Sequence, residues 1–105
     1  ALKMRLSSLK ERLGVEVRPV TDKDVDRYGL GARQGVVIIW VDPKGPLGKA
    51  GFEVNDMILE INGRTIRGVD DLANIIDSLP HGKVATILAL DHRSGRTGYI
   101  RVVIG

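Results

Sequence analysis

Residues 45–63, GPLGKAGFEVNDMILEING, constrain the fold more tightly than any other part of the chain. Pro46 suits the first turn of a short helix, where its missing N–H costs nothing. Leu47, Ala50 and Phe52 recur at roughly helical spacing, and Gly51 stands where a left-handed residue stops a helix. Asn55-Asp56 turns the chain, residues 57–61 (MILEI) read as a largely buried strand, and Asn62-Gly63 is a strong hairpin signal. A one-turn helix, a tight turn, a core strand and a hairpin therefore follow one another. None of these residues reads as a nucleophile, base or metal ligand, so function must lie on the flanks.

The flanks supply further elements in a legible order. Residues 13–20, LGVEVRPV, alternate, with Val15, Val17 and Val20 on or near one face. Pro19 marks a sheet edge because it cannot donate to a ladder. Thr21 with Asp24 predicts a capping box for a short helix through Tyr28 that Gly29 ends. Residues 36–41, VVIIWV, form an apolar run of strand length. Apolar residues at 69, 72, 73, 75, 76 and 79 predict the one long helix, with Asp70 and Asp71 in its first turn and Pro80-His81-Gly82 as its stop. Residues 84–90 and 99–104 read as strands joined by a loop over 91–95. The order predicts an α+β domain, a strongly curved five- or six-stranded antiparallel sheet or partial barrel capped by two helices. Residues 1–12, ALKMRLSSLKER, read either as a basic amphipathic helix for a membrane surface or as a linker or short helix, capped by Ser7 or Ser8 and ended by Gly14. The domain proper is expected over 13–105.

Composition removes several classes of function. The 105 residues allow one core, small for an enzyme with an internal active site. The net charge is +3, but its 16 basic and 13 acidic residues are interspersed rather than clustered. Tyr28, Trp40, Phe52 and Tyr99 are the aromatic residues, too few for a base-stacking surface, so no nucleic-acid partner is expected. There is no cysteine, hence no disulfide or thiolate site, and an oxidising compartment is permitted. No apolar run reaches the ~18 residues of a membrane span. Residues 1–5 lead into charge rather than an apolar core, which predicts a mature fragment or excised domain.

No catalytic constellation is expected. The serines are Ser7, Ser8, Ser78 and Ser94, none in a Gly-x-Ser-x-Gly setting, and His81 and His92 fall in predicted turns. Two histidines eleven residues apart make no metal site, and His92 with Asp91 reads as a solvated loop pair. Gly29-x-Gly31 lacks the strand, third glycine and lysine of a phosphate loop, so no cofactor is expected.

The run Gly45-Pro46, Lys49-Ala50-Gly51-Phe52, then 55–63 (NDMILEING) resembles the most regular stretch of PDZ domains, of the variety found in bacterial HtrA/Deg-type envelope serine proteases. Leu47 stands where Ala is common there and Asn55 where Gly is common; Asn tolerates positive φ, so the turn survives. The resemblance covers about Leu13 to the C-terminus. It implies a non-catalytic module that binds a peptide as an added strand between an edge strand and the long helix. Leu13, Gly14 and Val15 match that family's carboxylate-binding loop, with Arg12 before it, and Glu16 and Val17 continue the edge; Leu13 and Val15 also read as core residues of a first strand. Leu13, Val15 and Val17 with Leu72, Ile76 and Leu79 would wall an apolar pocket. Asp71, Ile75 and Ser78 would face the groove while Leu72, Ile76 and Leu79 face inward, unless the register shifts by one and exchanges the sets. The partner implied is a peptide or protein C-terminus with a hydrophobic last residue, or an extended segment. Oligomers would form through domains outside this chain, and the location implied is periplasm or cell envelope. Three parents fit: an HtrA-like serine protease, a secretion or signalling scaffold, and a membrane-embedded or C-terminal-processing protease.

Overall fold

The computed structural model describes residues 8–105, so most of the segment read as an amphipathic helix or linker, residues 1–7, lies outside the described part. Among the described residues six strands form one antiparallel sheet: β1 (Val15–Pro19), β2 (Val36–Val41), β3 (Met57–Ile61), β4 (Arg64–Thr65), β5 (Val84–Leu90) and β6 (Thr97–Val103). Their order is β1-β2-β3-β5-β6, with β4 paired to β3, so β1 and β6 are the outer strands. The helices are α1 (Asp22–Tyr28), α2 (Pro46–Lys49) and α3 (Val69–Asp77). Residues 8–12 are helical as well, so the sheet is flanked by more than the two helices expected. None of these helices is long and apolar enough to cross a membrane.

The local signals fold as their chemistry requires. At α1, Thr21 Oγ1 accepts the Asp24 N–H at 3.3 Å and Asp24 Oδ2 accepts the Thr21 N–H at 2.8 Å, a closed capping box. Gly29 ends α1 in the left-handed conformation. Asn55 and Asn62 are left-handed too, with φ of 80° and 51°, which makes the two turns around β3. Gly48 has a stricter reason for being glycine: a Cβ there would come within 2.1 Å of the Asp42 carbonyl oxygen.

Both faces of the sheet are covered. The larger cluster joins Leu9, Leu13, Val15, Ile38, Leu47, Ile61 and Ile87 to Leu72 and Ile76 of α3. A smaller one sets Val20, Val37, Met57, Leu59 and Leu90 against Val25 and Tyr28 of α1. Leu9 is 1% exposed, so the packed body begins before residue 13, where the sequence places the boundary. Between Glu16 and Val17 the β1–β2 register slips: Glu16 faces Trp40 and Val17 faces Ile38, leaving Ile39 as the extra residue of a bulge.

Asp24 also receives two bonds from the Arg18 guanidinium, at 2.8 and 3.2 Å, and that hydrogen bond holds its carboxyl well below the usual carboxylate range. A depressed carboxyl stabilises the fold above its unfolded pKa, about 3.9, and loses that contribution as pH falls toward the folded value. Asp24→Ala should therefore cost about 1–2 kcal/mol in urea unfolding at pH 7. The same variant should show a flatter loss of stability than the parent between about pH 4 and pH 2.

Candidate functional site

The candidate site is the groove between the outer edge of β1 and helix α3. Which backbone groups of β1 are free follows from its ladder. The Asp42 N–H donates to the Gly14 carbonyl at 2.8 Å, so Gly14 faces β2 and alternation turns Val15 outward. Ile38, the partner of Val17, spends its own N–H and C=O on Asp56 and Asn55, at 2.9 and 2.8 Å, on the β3 side. Val17 is therefore turned outward too. Both direct their N–H and C=O groups to the side of β1 away from β2, where no strand pairs among the described residues; Val17 is half-buried there and Val15 fully buried.

Apolar and charged groups line the far end of this groove. A cleft of about 590 Å³ is bounded by Val17, Pro19, Arg67, Gly68, Val69, Asp70 and Asp71. Asp71 Oδ2 accepts the Arg67 N–H at 2.9 Å, which fixes the turn into α3. Leu72, Ile75 and Ile76 are all buried, Leu79 is half-buried and Ser78 is exposed. Ile75 thus packs into the core beside Leu72 and Ile76, rather than separating from them as the expected two-sided helix would have it. Arg67, Val69, Asp70 and Pro19 were missed as cleft residues. The alternation Val15, Val17, Pro19 was the sequence signal that pointed to that end of the strand.

At the other end, the loop Leu13-Gly14-Val15 is held differently from the expectation of an open cradle. The Leu13 N–H donates to the Leu9 carbonyl at 2.9 Å, and the Gly14 N–H is shared between the Leu9 and Lys10 carbonyls at 3.2 and 3.1 Å. Gly14 has a φ of 71°, and a Cβ on it would meet the Gly45 Cα at 3.0 Å. The Leu13 carbonyl accepts the Leu47 N–H at 3.2 Å. Arg12 turns away from the groove: its guanidinium donates to the carbonyls of Ile76 and Leu79 at the end of α3, and its Nε to the Gly105 carbonyl at 3.1 Å. The last carbonyls of a helix lack internal partners, and a cation there also meets the negative end of the dipole. Lys10 lies 5.0 Å over the Trp40 ring and 3.6 Å from Glu16.

A second polar cluster joins residues that the sequence reading kept apart. Buried Asp56 accepts the Glu53 N–H at 2.8 Å and the His92 N–H at 3.1 Å, and its Oδ1 lies 2.6 Å from His92 Nδ1. His92 therefore pairs with Asp56 and not with Asp91. Ligand atoms of Glu53, Asp56 and His92 lie within 4.8 Å of one another, yet both Glu53 oxygens are taken by Arg93, at 2.9 and 3.2 Å. The cluster ties the turn before β3 to the β5–β6 loop. The depression beside it, about 680 Å³, is lined by the end of β5, the turn that follows it, and Thr97, Gly98 and Ile100 of the outer strand β6.

A family model described as PDZ domain matches residues 37–89. The chain belongs to the PDZ domain family. Among curated relatives, a probable periplasmic serine endoprotease DegP-like of Bartonella henselae is 41% identical over 76 residues, 71% of this chain and 15% of the relative. The protein of the same name from Halomonas elongata is 30% identical over 93 residues, 89% of this chain and 19% of the relative. This PDZ domain thus spans less than a fifth of the length of those relatives. The solved HtrA-type protease AlgW with a decapeptide is 28% identical with a TM-score of 0.68, covering 89% of this chain and 28% of its own. The HtrA3 PDZ domain bound to a phage-derived ligand shares the fold, with a TM-score of 0.71 at 19% identity over 90% of this chain and 85% of its own.

The Arg12 contacts carry a test of the groove's architecture. Arg12→Met keeps the aliphatic stem but leaves the carbonyls of Ile76 and Leu79 without their donor. It should lower stability by about 1.5–3 kcal/mol in urea unfolding, the range for bonds to a charged group.

Proposed function

We propose that this PDZ domain binds extended apolar peptides by adding them as a strand to the outer edge of β1, against α3. The ligand end it meets is either a C-terminus with a hydrophobic last residue or an extended segment within a chain. The observation that carries this reading is the outward-facing backbone of half-buried Val17 beside helix α3 and the cleft that Val17 and Pro19 line. An added strand would alternate its side chains, sending every second one toward Val17 and Val69. The decapeptide solved with AlgW and the shared family support peptide binding here. The DegP-like relatives support a parent that is a serine protease of the periplasm or cell envelope, in which this domain holds or regulates substrate. On that reading Arg12, Leu13, Gly14, Val15, Glu16 and Val17 form or support one wall, and Asp71, Leu72, Ile75, Ile76 and Leu79 the other.

Val17→Pro removes one outward N–H without touching the ladder to β2. It should weaken binding of an apolar peptide by roughly 10-fold, the loss of one well-made backbone bond plus the ring's obstruction. Isothermal titration on the domain, with circular dichroism to verify the fold, measures it. Unchanged affinity in a folded variant would remove strand addition as the mode.

A further inference from the structure

We propose that the outer edge of β6 is a second docking surface, where an extended segment carrying acidic residues adds as a strand beside the clefts that residues 46–53 form with β6. It is separate from the groove at β1 and does not depend on it. The Asp91 N–H donates to the Arg96 carbonyl at 2.9 Å and the Ile104 N–H to the Lys83 carbonyl at 2.8 Å, so residues 96 and 104 face β5. Between them the β5–β6 register runs from Thr97 to Val103 without a slip. Alternation therefore turns the backbone groups of Thr97, Tyr99, Arg101 and Val103 outward, and no strand pairs with that side among the described residues. All four residues are exposed, Tyr99 by 68% and Val103 by 57%. An edge of this kind accepts a further strand through its main chain.

Two clefts lie along this edge. One, of about 400 Å³, separates Pro46, Lys49 and Ala50 from Arg101, Val102 and Val103; the other, of about 680 Å³, has Gly51, Phe52 and Glu53 opposite Thr97, Gly98 and Ile100. The fold does not require a glycine at position 98: its φ is not left-handed, and a Cβ there would meet nothing within 4 Å. A glycine inside a strand costs chain entropy, and it often marks a place where another backbone comes close. Charge selects the ligand. The acids of these clefts are held inside the protein, Glu53 by Arg93, Asp56 by His92, and Asp91 by the Arg93 N–H and the Ser94 hydroxyl. Lys49, Arg96 and Arg101 line the same clefts, are exposed, and meet no carboxylate among the described residues. Residues 1–7 contain no acid that could reach them. Two copies of this chain would bring those cations, and a net charge of +3 each, to one seam, which favours an acidic partner over a second copy.

The experiment titrates the 105-residue chain with two decapeptides blocked at both ends, one alternating Glu with Val and one alternating Lys with Val. The Glu peptide should bind about ten-fold or more tightly than the Lys peptide, and raising salt from about 50 to about 500 mM should weaken it about threefold or more. Amide hydrogen exchange should slow at Thr97, Tyr99, Arg101 and Val103 and stay unchanged at Val17. Arg101→Glu should lower the affinity about fivefold or more, and Gly98→Val should lower it by filling the larger cleft, with circular dichroism verifying both folds. Equal affinity for the two peptides, no binding of the Glu peptide, or an affinity unmoved in folded Arg101→Glu overturns the inference. So does protection gained at Val17 in place of the β6 amides, which would assign the peptide to the β1 groove. Sedimentation showing a dimer that Arg101→Glu dissolves, with no peptide present, would give the edge to a second copy and overturn it too.

Discussion

The approach of two glycines holds this molecule together at its functional end. Gly14 and Gly45 meet so closely that a Cβ on either would lie 3.0 Å from the other's Cα. That contact seats the start of β1 on the turn before α2, and the bonds from Leu47 N–H to Leu13 and from Asp42 N–H to Gly14 follow from it. With β1 so placed, its inner side is consumed by β2, and its outer side has no paired strand among the described residues. Helix α3 then needs a lateral position, and Arg12 supplies it by joining the loop to the last carbonyls of the helix. The width of the groove is thus set by groups that do not line it.

Local signals were legible because the chemistry that makes them is local. Thr21 and Asp24 close their box across three residues, and Asn62-Gly63 turns between neighbouring strands. Asn55 takes the positive φ that its place in a glycine-like position demanded. The strands at 36–41, 57–61 and 84–90 emerged with the bounds that their apolar runs predicted. Less legible was anything decided by distant partners. Arg12 meets Ile76 and Leu79, which are 64 and 67 positions away, and nothing in the run Glu11-Arg12-Leu13 distinguishes a cation facing a ligand from one facing a helix end. His92 bonds Asp56 across 36 positions although Asp91 adjoins it in sequence. Four apolar residues in five along α3 fit more than one facing, and only packing against the sheet decided that Ile75 goes inward.

Paired charge is arranged here for geometry more than for attraction. The Arg18–Asp24 pair anchors α1 to the strand it follows, and Arg93–Glu53 ties two turns together, the latter at an exposed site worth little by itself. Near the groove, Lys10 and Arg12 are both engaged by the protein. The side of β1 away from β2 is left without a paired strand among the described residues.

The bonds between Arg12 and Gly105 have a mechanical side. The Gly105 N–H donates to the Arg12 carbonyl at 2.9 Å while the Arg12 Nε returns a bond to Gly105, so these two points lie side by side, although 93 positions separate them in sequence. A pull applied at residues 12 and 105 would load this small clasp and not the hydrogen-bonded ladders of the sheet. The groove, whose walls are β1 and α3, lies just beyond the clasp. Arg12 also bonds the carbonyls of Ile76 and Leu79, so the same residue joins the clasp to the end of α3.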